Sequence, residues 1–259
     1  MMRKKIAYKK SRIMDGAGPF LFEGNKIGIL MIHGAGGGTC ADLKPLAEDL
    51  HKKGDYTVKI PLLPGFGSSP EELKNSRVDE WISALKEEIS TLMDTCDRII
   101  VGGHSMGGLL TLILAANYDF DGIFTISAPA GVQSFLINLV PLFKIFVKYY
   151  KIPSEQFKKD TNGKWVGYDK IPVNIGIKAK RLMKDMKQAL IKICCPILLF
   201  QGQLDSDIKK NSMDFIFSKI SSKNKKKIWL EHNGHPILDS PDHNQIVSEL
   251  FNFIQEICS

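Results

Sequence analysis

The sequence has no long hydrophobic run and no pair of cysteines at metal-binding spacing. Among its 259 residues are five cysteines but no Cys-x-x-Cys, the spacing that is typical of zinc sites and redox pairs. The odd number of cysteines favours reduced thiols in a cytoplasmic protein, with a disulfide between Cys194 and Cys195 as the alternative. No apolar run reaches the about 18 residues that a membrane-spanning helix requires, because polar residues and a proline interrupt the most hydrophobic stretch, residues 135–147.

Signals for export and for metal binding are also missing. The first five residues are basic, but Tyr8, Lys9 and Lys10 stand where a signal peptide would have its hydrophobic segment. We therefore expect a cytoplasmic protein. The six histidines include no His-x-x-x-His pair, and no cluster of Cys and His stands at ligand spacing. The sequence predicts no metal site.

Positive charge is concentrated in one segment. The whole chain has 35 basic and 28 acidic side chains, a net charge of +7. Residues 131–193 alone have 13 Lys and Arg against 4 Asp and Glu, so this segment has a net charge of +9 and the remainder −2. Because the segment lacks the interleaved aromatic residues of a nucleic-acid surface, no nucleic-acid partner is predicted. The basic residues either form a solvated helical surface or attract anionic substrates and membrane surfaces weakly.

Strand and helix patterns alternate along most of the chain. Continuous apolar or alternating runs predict strands at residues 26–33, 56–61, 98–102, 122–126, 196–200 and 226–230. Helical spacing predicts helices at residues 43–50, 78–92, 109–117, 209–219 and 244–257. Residues 62–72 are predicted to be a loop. This alternation predicts an α/β protein with a mostly parallel central sheet and helices on both faces, with residues 131–193 inserted at one end of the sheet.

A Gly-x-Ser-x-Gly motif stands between a predicted strand and a predicted helix. It comprises residues 103–107, with Ser105 at its centre. A tight strand-to-helix turn with small residues two positions away on each side is the setting that exposes a nucleophilic serine. The N-terminus of the following helix also presents N–H groups to developing negative charge. The motif therefore predicts Ser105 as a nucleophile.

The loop after the first strong strand is rich in glycine. Residues 33–38 read His-Gly-Ala-Gly-Gly-Gly, and an oxyanion needs two N–H donors. We expect these donors to be the N–H groups of Ala35 and of Met106, the residue after the nucleophile. The alternative is a dinucleotide fingerprint, which residues 36–41 fit formally. That alternative needs an acidic residue at the end of the next strand, and residues 60–63 contain none.

A serine nucleophile requires a histidine base. His235 follows the last predicted strand, where the base is expected in this topology. His232 and His243 are the alternatives. The sequence therefore predicts His235 as the base.

The acid that orients the base should follow the strand at residues 196–200. Asp205 has this place, and Asp207 is the alternative two residues further on. The predicted order is then nucleophile, acid, base: Ser105, Asp205, His235.

The chain resembles the α/β-hydrolase superfamily, and within it the bacterial carboxylesterases and monoacylglycerol lipases. The resemblance runs over residues 19–257 and rests on the Gly-x-Ser-x-Gly motif together with Pro61–Leu73, Ile126–Pro129, Gly202-x-x-Asp205 and Gly234-His235. Residues 64–67 read Pro-Gly-Phe-Gly where family members usually have Pro-Gly-His-Gly. The resemblance implies a hydrolase core made of residues 1–130 and 194–259, a small helical cap made of residues 131–193, and no cofactor.

The resemblance also implies hydrolysis of a small-molecule carboxylic ester through an acyl-enzyme on Ser105. Thioester, amide or carbon–carbon hydrolysis, perhydrolysis, and a binding protein without catalysis are the alternatives. Apolar side chains of the cap are expected to pack on the core or to line an acyl-chain pocket; they are Leu136, Leu139, Phe143 and Phe146.

Overall fold

The computed structural model describes residues 12–133 and 147–258. Its centre is a seven-stranded sheet in the order β1-β3-β2-β4-β5-β8-β9. Strand β1 runs antiparallel to β3, and the other neighbouring strands are parallel. The seven strands are β1 (Phe20–Phe22), β2 (Ile27–Ile32), β3 (Thr57–Ile60), β4 (Arg98–His104), β5 (Gly122–Ile126), β8 (Ile197–Gly202) and β9 (Lys225–Leu230). This topology confirms the predicted α/β fold with a mostly parallel sheet.

Helices cover both faces of the sheet. They are α1 (Lys44–Gly54), α2 (Pro70–Asn75), α3 (Val78–Met93), α4 (Met106–Ala115), α5 (Ser154–Asp160), α6 (Ile175–Ala189), α7 (Ser212–Lys219) and α8 (His243–Cys258). Side chains of α1 and α8 belong to one buried cluster, and side chains of α3, α4 and α6 belong to another. The sheet lies between these two clusters, so the core has three layers.

Strand β2 shows how the sequence produces this layering. Its residues 29–32 are fully buried. Ile29 and Met31 point into the cluster of α1 and α8, whereas Leu30 and Ile32 point into the other cluster. Successive side chains of a strand point to opposite faces. A strand covered on both faces therefore needs a continuous apolar run, which is the pattern seen in the sequence.

One predicted loop contains a helix. Helix α2 begins at Pro70, inside the stretch expected to be a loop. The Ser69 hydroxyl caps the helix by accepting a hydrogen bond from the N–H of Glu72 at 3.2 Å. A serine followed by proline at the first helical position is a common helix start. The prediction was wrong here because the Pro, Gly and Ser content was taken as a sign of loop.

The described residues 147–193 of the inserted segment contain a hairpin and two α-helices. Strands β6 (Tyr149–Lys151) and β7 (Lys170–Pro172) pair antiparallel, with α5 between them. Helix α6 follows and contributes Leu182 and Met186 to the same buried cluster as α4. The expected pocket residues Leu136, Leu139, Phe143 and Phe146 lie outside the described residues, and the division into core and cap stays a prediction. Within residues 12–133 and 147–258, no helix has both the length and the apolar composition for crossing a membrane.

Candidate active site

The predicted site residues come together at the carboxyl edge of the parallel strands. Ser105 directly follows β4, and Ala35 lies in the loop after β2. Asp205 follows β8, and His235 follows β9. In open α/β sheets, ligands bind in the crevice outside the carboxyl ends of the strands. Four loops that are distant in sequence therefore meet at one end of the sheet.

Ser105 occupies a strained turn between β4 and α4. Its backbone has φ 54° and ψ −115°, a conformation that a residue with a side chain rarely adopts. Glycines two residues before and two residues after Ser105 leave the space that this turn needs against its neighbours. A Cβ atom at Gly103 would collide with the backbone of Gly107, and one at Gly107 would collide with the carbonyl of Ile32. Strand β2 thus packs so closely on the turn that both positions require glycine.

A chain of hydrogen bonds connects Ser105 to Asp205 through His235. The Ser105 Oγ and the His235 Nε2 are 2.9 Å apart, and the His235 Nδ1 and the Asp205 Oδ2 are 2.8 Å apart. A carboxylate can only accept, so Nδ1–H donates to Asp205 and Nε2 accepts from the Ser105 hydroxyl. This tautomer leaves the Nε2 lone pair facing the serine proton, as a general base requires.

The carboxylate of Asp205 is buried and held in its charged form. The residue is 2% exposed. Burial by itself would raise its pKa, but hydrogen bonds from His235 and from the N–H groups of Asp207 and Ile208 outweigh this effect, and the pKa is lowered. Hydrogen bonds to the charged form and a nearby positive charge both favour ionisation. Asp205 is therefore a carboxylate at neutral pH.

The alternative residues have other partners. Asp207 is exposed, and its backbone N–H supports the Asp205 carboxylate. The His232 side chain is 72% exposed and pairs with Asp242 at 3.0 Å. His243 lies at the start of α8, where its Nε2 is 2.8 Å from Asp49. The structure thus brings His235 and Asp205, rather than these alternatives, to Ser105.

The glycine-rich loop lies directly against the serine turn. A Cβ atom built on Gly34 would be 3.4 Å from the Cβ of Ser105. Ala35 lies between Gly34 and Gly36, which both line a pocket at Ser105. Met106 is the first residue of α4, so its N–H has no acceptor within the helix. Both N–H groups proposed for an oxyanion are therefore in segments that border Ser105.

His33 holds this loop in place, a role that the sequence patterns did not reveal. It is fully buried, and burial lowers its pKa to about 4, so the ring is neutral at pH 7. Its Nδ1–H donates to the carbonyl of Gly34 at 2.8 Å, and its Nε2 accepts from the N–H of Leu63 at 3.2 Å. Its ring also meets the edge of Phe66, the residue that departs from the Pro-Gly-His-Gly pattern, at 4.7 Å between centroids. The ring thus joins the loop after β2 to the loop after β3.

A cavity of about 280 Å³ opens at Ser105 and is called the Ser105 pocket below. Its lining includes Phe157 and Trp165 from the inserted segment, whose ring centroids are 5.6 Å apart. Among the described residues it has no Lys or Arg in its lining. The acidic residues of the lining are Asp42, Asp160, Asp207 and Asp239. The described lining is therefore rich in carboxyl groups, one of which, that of Asp239, pairs with Lys164 at 2.6 Å, although residues 131–193 as a whole are basic.

Two side chains of the pocket were not singled out from the sequence as site residues. Of the two, His104 directly precedes Ser105, and Asp42 lies shortly before the start of α1. Both line the pocket, and the His104 Nδ1 and the Asp42 Oδ1 are buried without a hydrogen-bond partner in the described part of the chain. The sequence signal that could have identified them is their position: His104 lies within the Gly-x-Ser-x-Gly motif, and Asp42 follows the glycine-rich loop. Residues 12–133 and 147–258 contain no group of three or more His, Cys, Asp or Glu side chains that could hold a metal ion.

Comparison with known families adds to this geometry. A model of the family described as serine aminopeptidase, S33, matches residues 25–242. This chain belongs to that family. The match spans both the serine turn and His235, and it confirms the resemblance to the α/β-hydrolase superfamily inferred from the sequence.

Similar proteins cover nearly the whole chain. A thermostable monoacylglycerol lipase from Bacillus sp. (strain H-257) is 31% identical over 242 residues, 93% of this chain and 95% of the relative. A carboxylesterase from Bacillus subtilis (strain 168) is 25% identical over 243 residues, 92% of this chain and 96% of the relative. A solved structure from work on the metagenome-derived lipolytic enzymes LipS and LipT has a TM-score of 0.86 at 25% identity and covers 95% of this chain and 100% of that chain.

Proposed function

We propose that this protein hydrolyses carboxylic esters, with Ser105 as nucleophile, His235 as general base and Asp205 as the acid that orients the base. The hydrogen-bond chain from Ser105 Oγ through His235 to Asp205, with separations of 2.9 and 2.8 Å, carries the proposal. Relatives named monoacylglycerol lipase and carboxylesterase, similar over more than nine-tenths of the chain, support the ester bond as the target. The proposal agrees with the function predicted from the sequence.

The first step is attack by Ser105 on the acyl carbonyl carbon. His235 Nε2 takes the hydroxyl proton while Oγ forms the new bond. The imidazolium that results is stabilised by the Asp205 carboxylate, whose lowered pKa keeps it charged. Removal of one member of such a triad lowers kcat by roughly 10⁴- to 10⁶-fold.

The negative oxygen of the tetrahedral intermediate needs donors. We assign this role to the N–H groups of Ala35 and Met106, in the loop after β2 and at the first position of α4. The positive end of the helix dipole adds to the stabilisation. Loss of one such donor lowers kcat by roughly 10²- to 10³-fold in comparable sites.

Collapse of the intermediate releases the alcohol. His235 gives its proton to the leaving oxygen, and the acyl group stays on Ser105 as an ester. Water then attacks that ester with His235 again as base, and the carboxylic acid leaves. Every step uses groups of this chain and water, so the proposal includes no cofactor.

The substrate class that we propose is a monoacylglycerol or a similar ester with one acyl chain. Residues 131–193 would form the cap over the Ser105 pocket, and Phe157 and Trp165 of that segment would contact the acyl chain. A cytoplasmic location, a place in lipid metabolism and weak contact with anionic membranes or micelles belong to the same proposal. Apolar contacts of this kind stabilise a bound chain by about 0.8 kcal/mol for each buried CH₂ group.

Amide hydrolysis is the second candidate. The matching family is described as serine aminopeptidase, S33, and four aspartates line the Ser105 pocket. A carboxylate near the site would attract the amine of a peptide-like substrate. The same triad chemistry serves both bonds, so the leaving group distinguishes the two candidates.

Labelling with a fluorophosphonate and a substrate panel test the proposal. The wild type should be labelled on Ser105, and Ser105→Ala should be neither labelled nor active while its circular dichroism spectrum is unchanged. A panel of nitrophenyl esters of increasing chain length, monoacylglycerols and aminoacyl nitroanilides identifies the bond. Ester hydrolysis by Ser105→Ala within tenfold of the wild type would contradict the proposed nucleophile, and faster nitroanilide turnover would favour the second candidate.

A further inference from the structure

We propose that His104 is a positioning residue that fixes the backbone of His235, so that the imidazole of His235 stays within reach of Ser105. The inference rests on the proposed function, in which His235 is the base. His104 is the first of the two variable residues of the Gly-x-Ser-x-Gly motif, and nothing in the proposed chemistry uses it directly.

A direct hydrogen bond joins the two histidines. The His104 Nε2 and the backbone carbonyl oxygen of His235 are 2.8 Å apart. A carbonyl only accepts, so Nε2 must carry the proton and Nδ1 must be the unprotonated nitrogen. The two rings also pack together, with centroids 5.1 Å apart and an interplanar angle of 44°. Both contacts are made with His235 itself and not with its neighbours between β9 and α8.

The protein keeps His104 neutral. The residue is 6% exposed. Burial, with a contribution from the neighbouring His235, lowers its pKa to about 3. A neutral ring places no positive charge beside His235 when that residue becomes protonated. The single N–H of this tautomer is therefore available only for the His235 carbonyl.

The location of the contact explains why a tether is needed. His235 lies in the segment between β9 and α8, which has no regular secondary structure around it. His104 ends β4, a buried central strand, and immediately precedes Ser105. The hydrogen bond therefore ties the irregular connection that bears the base to the central strand that leads into the nucleophile. Misplacement of a reacting group by about 1 Å can lower a rate about 100-fold.

Three variants separate this role from a general contribution to folding. His104→Phe keeps an aromatic ring but has no donor, and we expect kcat to fall about 10- to 100-fold with little change in KM. His104→Gln places an amide N–H near the position of Nε2 and should restore kcat, whereas the shorter His104→Asn should not.

His232→Phe is the matched control. It removes a histidine of the same loop, whose partner is Asp242 rather than β4. We expect it to leave kcat within twofold of the wild type. Equal effects of His104→Phe and His232→Phe, or a His104→Phe enzyme with wild-type kcat, would overturn the inference.

Measurements of folding and of labelling separate a loss of positioning from a loss of folding and from a failure of the proposed function. If His104→Phe does not give a folded protein, the comparison of folded His104→Gln with His104→Asn decides, and equal kcat values for these two would overturn the inference. Fluorophosphonate labelling of wild-type Ser105 tests the proposed function itself. Normal labelling of the wild type together with equally fast labelling of His104→Phe would contradict the positioning role while leaving the proposed function intact.

Discussion

Two aspartates, one in the lining of the Ser105 pocket and one hydrogen-bonded to His235, have pKa values shifted in opposite directions. Asp205 follows β8 and has a lowered pKa, because its hydrogen bonds from His235 and two backbone N–H groups outweigh its burial. Asp42 precedes α1, and burial raises its pKa to about 7. The Asp42 Oδ1 has no hydrogen-bond partner in the described part of the chain.

The difference shows that partners, rather than burial, decide whether a carboxyl group is charged. Burial penalises the charged form of both side chains. Only Asp205 meets a histidine and N–H donors that compensate the penalty. Asp42 instead faces Gly38, and a Cβ atom built on Gly38 would collide with the carboxyl oxygens of Asp42. One aspartate is thus held as an anion beside the proposed base, and the other changes its charge near neutral pH.

The largest expected effect comes from removing His235, a hydrogen-bond partner that Asp205 has and Asp42 lacks. We expect His235→Ala to lower kcat by roughly 10⁴- to 10⁶-fold, because Ser105 then has no base. His232→Ala removes the exposed histidine of a second His–Asp pair, and its kcat should stay within a few fold of the wild type. Steady-state ester hydrolysis by the two purified variants checks this. Equal losses in both variants would mean that the two pairs do not differ in function.

Changing the acid itself should have the next largest effect. Asp205→Asn is expected to lower kcat about 10⁴-fold, because an amide cannot stabilise the imidazolium or hold the required tautomer. Asp207 supports the site through its backbone N–H, which Asp207→Asn keeps, so this control should retain most of its activity. Hydrolysis rates at saturating ester measure both. A crippled Asp207→Asn with a nearly normal Asp205→Asn would reverse the assignment.

Asp42 should affect stability with the opposite pH dependence. Its pKa is raised from 3.8 to about 7 in the folded protein. Between these values the folded state binds more protons than the unfolded state, so the free energy of unfolding falls as pH rises. Asp42→Asn should therefore be more stable than the wild type at pH 8, on the order of 1 to 3 kcal/mol, and much closer to it at pH 4. Thermal unfolding at both pH values measures the difference.

One further variant completes this test. Asp160→Asn is the control, because Asp160 is exposed in the same pocket, and it should change Tm little at either pH. For Asp205, the lowered pKa means a contribution to stability that is present above the unfolded pKa and is lost as pH falls through the folded pKa. A Tm gain for Asp42→Asn that is equal at pH 4 and pH 8 would contradict an ionisable, unpartnered carboxyl.

The smallest expected effect concerns the contrast between the carboxyl-rich lining of the pocket and the basic inserted segment. Residues 131–193 have a net charge of +9, so we expect weak binding to vesicles that contain anionic lipid and less binding to neutral vesicles. Screening should reduce this binding as salt rises from about 0.05 to 0.5 M, because the Debye length is about 10 Å at 0.1 M. Co-sedimentation at the two salt concentrations measures it. Equal binding to both vesicle types would indicate a merely solvated surface.

Regular elements with a strong pattern were predictable from the sequence. The strand at residues 122–126 was predicted with the bounds that the structure has, and α3 and α8 were predicted to within one or two residues. Their apolar spacing is a local property that tertiary contacts reinforce. Helix α2 was missed, and the hairpin of β6 and β7 was missed as well. The hairpin strands have three residues each, too few for a period to be recognised.

The site was predictable as far as its residues stand in motifs. Ser105 was identified from the strand–turn–helix context, and its backbone geometry depends on glycines that the motif contains. His235 and Asp205 could be ranked above their neighbours only through the expected topology. The side chains of His33 and His104 each make a hydrogen bond with a backbone atom that is distant in sequence, and such a bond has no sequence period.

The sequence by itself determined the alternation of strands and helices, the position of the strained serine and the charge of each segment, because these depend on residues that are near one another in the chain. Only the tertiary structure decided which histidine and which aspartate meet Ser105, since 130 residues separate Ser105 from His235 and 30 separate His235 from Asp205. It also decided that Asp205 has a lowered pKa and Asp42 a raised one, because burial and hydrogen-bond partners exist only in the folded chain.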